Sequence, residues 1–464
     1  MILGIIVTCQ LMVVLDTTIV NIALPSMKSS LGFSEADLSW VLNAYTLAFG
    51  GLLIICGRAG DVFGRRRVLM FGLALFTIAS LAGGLATSPG WLITARAVQG
   101  IGGAIISPAA LALIMHNFDE GQPRAKAIGV YAAVSGAGTG AGLIAGGLLT
   151  AFVSWRWVLF VNIPIGIALL VLVPMFLGET ERHPGRFDIA GAVTSTVSMV
   201  GLTYGFIHAA SDGWSNGTTI GSFAAGIVFG IAFLIIETRV QQPIVPLRLF
   251  KDRNRSSAFA VRFLLIASMT GMMFFLTQFV QNVLGFSPLT AGFAFLPTTV
   301  ATVVAARVAP KFIPKLGLKW LTVIGAVLVV AGMAWLTQIT PQTGYLEGIL
   351  GPMVLFGVGV AIPLVTLTML AVAGVERKDA GAVSSVLNVM QQVGASLGLA
   401  ILVTVFGAVS RQSPAAPAGS VEANATMTHA IAVSFEMASV FTIIIFLLSV
   451  LAIKVKPAPK PATA

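Results

Sequence analysis

The chain has 464 residues, 57% of them hydrophobic and only 9% charged, with a mean hydropathy of +0.96 and a formal charge of +10. Soluble globular chains carry about 25% charged residues, so too few ionic side chains are present to solvate a soluble protein of this size. Fourteen apolar runs of roughly 20 residues, the bilayer-spanning length, leave only short loops, which excludes a Rossmann enzyme, a nucleic-acid module and a receptor with a large ectodomain.

The first predicted span, 2–25, has no leading Lys/Arg region and no small-residue cleavage site, so it reads as a span rather than a removable signal peptide. It carries Asp16 within Leu15-Asp16-Thr17-Thr18-Ile19-Val20-Asn21. Asp16 and Asn21 lie within about 140° on a helix, giving a polar stripe. A carboxylate whose surroundings alternate between apolar burial and a nearby cation can load and release a proton; a fixed pair that only locks helices is the alternative. Span 38–57 brings Asn43 and Tyr45 as cavity candidates. The segment Gly57-Arg58-Ala59-Gly60-Asp61-Val62-Phe63-Gly64-Arg65-Arg66-Arg67 reads as a short glycine-bearing loop. It is a candidate conformational latch between halves, through Gly57, Asp61, Gly64, Arg65 and Arg66.

Span 68–86 is followed by 91–114, where Arg96 and Gln99 precede Gly100-Ile101-Gly102-Gly103. An arginine keeps its proton, so Arg96 needs a carboxylate, carbonyls or water; snorkelling to the interface is the competing reading. Span 127–152 holds Gly138, Gly142, Gly146 and Gly147, which permit close crossing and bending and form a candidate hinge. Spans 157–177, 189–209, 219–237, 257–284, 291–309, 320–338, 348–372, 381–409 and 431–453 complete the series. Later cavity candidates are Gln278, Gln281, Asn388 and Gln391, with Asn282, Gln392 and Glu436 behind them. Met272 to Phe275 read mainly as lipid-facing packing.

Lys and Arg fix an orientation. Arg58, Arg65 to Arg67, Arg124, Lys126, Arg182, Arg186, Arg239, Arg248, Lys251, Arg253, Arg255, Lys311, Lys315, Lys319, Arg377, Lys378, Lys454, Lys456 and Lys460 fall in alternate loops, only Lys28, Arg156 and Arg411 in the others, and Arg96, Arg262 and Arg307 inside spans. Both termini are therefore expected in the cytoplasm, and the positive charge needs no nucleic acid to explain it. Cys9 and Cys56 both sit in apolar runs and form no disulfide framework.

The chain also repeats itself. Leu31-Gly32-Phe33-Ser34 recurs as Leu284-Gly285-Phe286-Ser287, and in the same register Gly64 falls on Gly317, Gly72 on Gly325 and Asp16 on Met269. After a short insertion, Gly102 falls on Gly359 and Arg96 on Met353. Two parallel six-helix bundles follow, at 1–180 and 251–464, with two inserted helices in 181–250. Parallel halves are a transporter architecture.

At these residues the sequence resembles the major facilitator superfamily, and within it the fourteen-span drug:proton antiporter family of the EmrB/QacA type. Gly57, Asp61, Gly64, Arg65 and Arg66 match the motif between the second and third spans, with Ala59 and Val62 departing from it. Leu15 to Pro25 matches the first-span motif. Arg96, Gln99 and Gly100 match the fourth-span motif, whose arginine is implicated in proton coupling. Gly138, Gly142, Gly146 and Gly147 match the fifth-span antiporter motif, with Leu143 in place of its usual proline. The resemblance implies an all-α membrane fold, Asp16 and Arg96 as the proton-coupling pair, and export of small amphipathic compounds, lipophilic cations among them, from the plasma membrane. No cofactor or metal is expected, the proton gradient supplying the drive. The expected partners are the substrate, protons and lipid, with no nucleic acid and no obligatory protein partner. An uptake symporter or dedicated metabolite exporter on the same fold, and a non-transporting sensor, are the alternatives.

Overall fold

The computed structural model describes residues 1–118, 122–179, 188–240, 243, 247–373, 380–412 and 420–454. Regular structure among them is helical throughout. In chain order the long helices are α1 (Ile2–Leu31), α2 (Trp40–Phe63), α3 (Arg65–Gly84), α4 (Pro89–Asn117), α5 (Gln122–Phe152), α6 (Asn162–Phe176), α7 (Ile189–Asp212), α8 (Gly217–Arg239) and α9 (Arg253–Gln278). A continuous element, Leu296–Leu336, breaks at Gly317 into two arms, α10 before it and α11 after it. The series closes with α12 (Leu350–Val372), α13 (Ala380–Ser410) and α14 (Val421–Leu451). By length and composition, eleven helical stretches among the described residues are able to cross a membrane.

Local chemistry sets the ends. Ser88 accepts from the Trp91 amide and Pro89 opens α4. Asp188, Asp252 and Ser420 cap α7, α9 and α14 in the same way, each satisfying an amide the helix leaves free. The segment expected as a loop at 57–67 is mostly helix. The chain turns only at Gly64, whose φ of 99° is open to glycine but strained for other residues.

The repeat is visible in the backbone. Gly32 and Gly285 both take positive φ, 74° and 70°, as do Gly64 and Gly317, 99° and 73°. Ser34 accepts from the Asp37 amide and Ser287 from the Thr290 amide, matching positions of the two copies. Gly102 of α4 meets the backbone of Phe76 on α3, and Gly359 of α12 meets the equivalent Val329 on α11. Gly72 faces Ile105 and Ile106, while Gly325 faces Pro363. The same glycine-mediated helix pair is built twice.

The α7–α8 pair docks over the seam between α2 and α13. Gly51 of α2 lies against Thr196, Trp40 packs on Tyr204 at 5.9 Å, and Thr203 shares a 3.3 Å hydrogen bond with Ser396. Glycines 201 and 226 bring α7 and α8 into backbone contact, and the outer face of α8 stays largely exposed. Met272, Phe274 and Phe275, expected mainly to face lipid, are buried instead. Phe275 stacks on Phe406 at 5.4 Å and meets Phe435 edge-on, because α9 lies inside its bundle between α13 and α14.

Candidate functional site: a buried ion pair inside the first bundle

Asp16 on α1 is fully enclosed, and its two oxygens are both taken. Oδ2 accepts from Nη1 of Arg96 on α4 at 2.6 Å. Oδ1 accepts from Nε2 of Gln99 at 2.6 Å and from Nδ2 of Asn162 on α6 at 3.0 Å. Arg96, 1% exposed, also donates through Nη1 to the Gln99 side-chain oxygen at 2.7 Å and through Nε to the Val41 carbonyl at 3.1 Å. Gln99 donates further to Ser80 of α3 at 2.8 Å, and the Ser80 hydroxyl donates in turn to the Phe76 carbonyl. The Arg96 guanidinium lies 4.5 Å above the Tyr45 ring, an arrangement that favours a cation.

Five helices converge here, and small residues let them. Gly100 brings α4 against the backbone of Tyr45 on α2, which puts Val41 and the Tyr45 ring within reach of Arg96. Gly103 leaves room for the Tyr45 hydroxyl, which is buried without a hydrogen-bond partner. Thr17 and Thr18 turn their hydroxyls back onto carbonyls of their own helix, so neither donates to Asp16. A charge pair removed from water is held only when its remaining donors and acceptors are also met, and Gln99, Asn162 and the Val41 carbonyl do this for Asp16 and Arg96. Snorkelling of Arg96 is thereby ruled out.

The other expected site residues divide. Asp16, Tyr45 and Gln99 belong to this cluster, so they are closed into the interior rather than lining an open cavity. Asn43 and Gln278 are equally buried, each 1% exposed, outside it. Asn21 points away from Asp16 and donates to the Thr17 carbonyl. Gln281 on the turn after α9 donates to the Ile22 carbonyl of α1 at 2.9 Å, joining the two bundles. Asn388 is exposed on α13, and Gln391 beside it accepts from Arg262. Gln392 faces Gly50 of α2 instead, as the 100° step between neighbours requires.

The expected latch between halves closes within the first half. Arg65 donates to the Ala112 carbonyl at the end of α4. Arg66 donates to the Leu177 carbonyl through Nη1 and, through its backbone amide, to Glu179. Arg67 pairs with the same carboxylate at 3.5 Å. These partners lie where α4 and α6 end beside the α2–α3 turn, so proximity within the bundle decides. A side chain at Gly57 would meet Pro108 of α4; the Asp61 side chain lies outside the described residues.

The α5 glycines serve two faces of one unbroken helix. Gly138, Gly142 and Gly146 lie against α1 at Val14, Thr18 and Ile19. Gly147 lies against Pro288 and Leu289 of the second half, with a carbonyl 2.7 Å from where its Cβ would stand. Gly292 returns the contact onto the Leu143 carbonyl. Backbone meets backbone, and the bundles are closed at this end. Ser80, Asn162 and Glu179 are site residues that sequence reasoning misses; a lone Ser or Asn in an apolar run is the available signal for the first two.

The sequence matches the Major Facilitator Superfamily over residues 6–399. It is 42% identical over 414 residues to the puromycin resistance protein pur8 of Streptomyces alboniger, covering 87% of this chain and 81% of that one. It is 40% identical over 413 residues to the cephamycin export protein CmcT of Amycolatopsis lactamdurans, covering 88% and 85%. In fold it is similar to a bacterial homolog of the human lysosomal transporter Spinster in an inward-facing, unoccupied conformation. The TM-score there is 0.69 at 16% identity, over 97% and 96% of the two chains. The chain belongs to the Major Facilitator Superfamily and is a multi-pass membrane transporter, not an enzyme.

Proposed function

We propose that this transporter exports small amphipathic compounds from the cell by proton-driven alternating access, with Asp16 and Arg96 as the coupling pair. The carrying observation is an asymmetry. The repeat builds the α3–α4 helix pair again as α11–α12, yet Met269 and Met353 stand where Asp16 and Arg96 stand in the first copy. The architecture therefore does not require the ion pair. A charge at membrane depth costs roughly 2.5–3.5 kcal/mol even on the lenient insertion scale, so its presence calls for a use.

A proton on Asp16 removes one acceptor site from a carboxylate that now serves Arg96, Gln99 and Asn162. Arg96 is then left without its counter-charge, and the four helices around it lose the contacts that hold them in register. One charge crossing 100 mV supplies about 2.3 kcal/mol, enough for a substrate gradient of roughly 50-fold. The relatives named for puromycin resistance and cephamycin export support the direction of transport. A relative named for export of one antibiotic also favours the dedicated-exporter reading of this chain.

The reading includes fourteen spans in the drug:proton antiporter branch. The eleven apolar stretches are joined by shorter apolar helices at Trp40–Leu53 and Gly140–Phe152, and the Gly317 break divides one long stretch in two. It places both termini in the cytoplasm and the Gly147–Leu289 contact on the outer side of the plasma membrane. The test is efflux from proteoliposomes under an imposed proton gradient. Acceleration by the gradient, abolished by a protonophore, supports the proposal; flux indifferent to the gradient sinks the coupling.

A further inference from the structure

Arg262 of α9 is a second arginine inside a span, partly rather than fully buried, and it lacks the carboxylate that Arg96 has. Its Nη2 donates to the neutral oxygen of Gln391 on α13 at 2.6 Å, and its Nε is buried with no hydrogen-bond partner. No carboxylate among the described residues answers its charge. A guanidinium does not shed its proton at membrane depth, and even partly buried, as Arg262 is, a charge without an opposite partner is unfavourable.

The surroundings show where this group faces. On α13, Gly394 and Gly398 lie against Phe263 and Ala267 of α9, while Gln392 lies against Gly50 of α2. At 100° per residue, Asn388, Gln391 and Ala395 share the face between those two contacts. That face looks into the seam between the bundles, and Asn388 on it is exposed. Met269 and Met273 follow Arg262 on one face of α9, about 10 and 16 Å further along, and both are only partly buried. A fixed cation with amides beside it leads into a soft, adaptable apolar wall. Asp16, by contrast, is enclosed with both oxygens occupied, so it offers no free negative charge to a cation in this conformation.

We propose that Arg262, with Gln391 and Asn388, anchors the acidic group of an amphipathic anion whose apolar body lies along Met269 and Met273. This assignment rests on the export reading and names its substrate class: organic anions rather than lipophilic cations.

The test is equilibrium binding to the purified protein in nanodiscs. The probes are a fluorescent arylsulfonate, its uncharged sulfonamide analogue and a lipophilic cation. The sulfonate is expected to bind about tenfold tighter than the neutral analogue, as a charge-assisted hydrogen bond implies. Arg262→Gln should weaken the sulfonate about tenfold and leave the neutral analogue unchanged, and Arg262→Lys should recover most of the loss. Gln391→Glu supplies an internal carboxylate to Arg262; it should raise the melting temperature and abolish the preference for the sulfonate. That variant decides the matter if Arg262→Gln fails to fold. Sulfonate binding retained in Gln391→Glu, or the cation bound more tightly than the sulfonate by the parent protein, overturns the proposal. Sulfonate binding with no flux of any probe in energised proteoliposomes would instead refute the export reading and leave the anion site standing.

Discussion

Asp16→Asn is the sharpest perturbation of the buried cluster, and its cost follows from the geometry. The carboxylate accepts from three donors, on Arg96, Gln99 and Asn162. An amide offers one oxygen and turns an NH2 group toward donors that cannot accept it. It also leaves Arg96 as an uncompensated charge, 1% exposed. Removing one partner of a buried pair costs about 3–5 kcal/mol. Arg96→Gln should cost a similar amount, since Asp16 then keeps only neutral donors. The double variant, Asp16→Asn with Arg96→Gln, removes both charges and should lose far less than the sum, with a coupling of about 2–3 kcal/mol. Unfolding of the purified variants in detergent, followed by melting midpoint and by denaturant titration, measures the cycle. Strict additivity, or an Asp16→Asn protein that melts with the parent, would refute the claim that these two side chains hold one another.

Other outcomes follow from the same contacts. Tyr45→Phe should leave stability within about 0.5 kcal/mol, because the hydroxyl has no partner to lose. Tyr45→Leu should cost about 1–2 kcal/mol through loss of the ring under Arg96; melting curves compare the two. Gly147→Val places a branched side chain against Pro288 and Leu289. It should part the bundles at that end and raise thiol labelling of a reporter in Asn21→Cys while slowing transport; unchanged labelling contradicts the closure. Gly64→Ala should destabilise the α2–α3 turn, since its φ is 99° and the new methyl meets Glu179. Glu179→Gln should cost only about 1 kcal/mol, because its partners Arg66 and Arg67 are 29% and 63% exposed.

The sequence makes some of this architecture legible and hides the rest for identifiable reasons. Hydropathy marks long apolar helices because a bilayer tolerates little else, eleven stretches among the described residues being able to cross, and the repeat survives in glycines because positive φ and close helix contact exclude other residues. Gly32 with Gly285 and Gly64 with Gly317 are read correctly as equivalents for that reason. Asp16 and Arg96 stand out because charge in an apolar run is rare. That they touch is a fact of helix rotation and packing, which separation along the chain does not carry. Ser80 and Asn162 give only a weak signal, because a single small polar residue in a span usually bonds to its own helix, as Thr77 does. The latch reads as a bridge between halves because motif residues announce that they are constrained, not by what; Glu179, their partner, lies just past a span where charge is unremarkable. Arg262 also falls inside a span in sequence, as Arg96 and Arg307 do, and its neutral partner Gln391 on α13, with no carboxylate beside it among the described residues, is what the structure adds.

The central claim concerns a proton at Asp16. Purified parent protein and Asp16→Asn, reconstituted in vesicles loaded with a pH-sensitive dye, can be driven by an outward substrate gradient with no imposed proton gradient. The account predicts that substrate leaving through the parent protein carries protons the opposite way, and that Asp16→Asn still exchanges substrate across the membrane but moves no protons with it. Proton movement of equal size in Asp16→Asn would contradict the account and assign the coupling to another group.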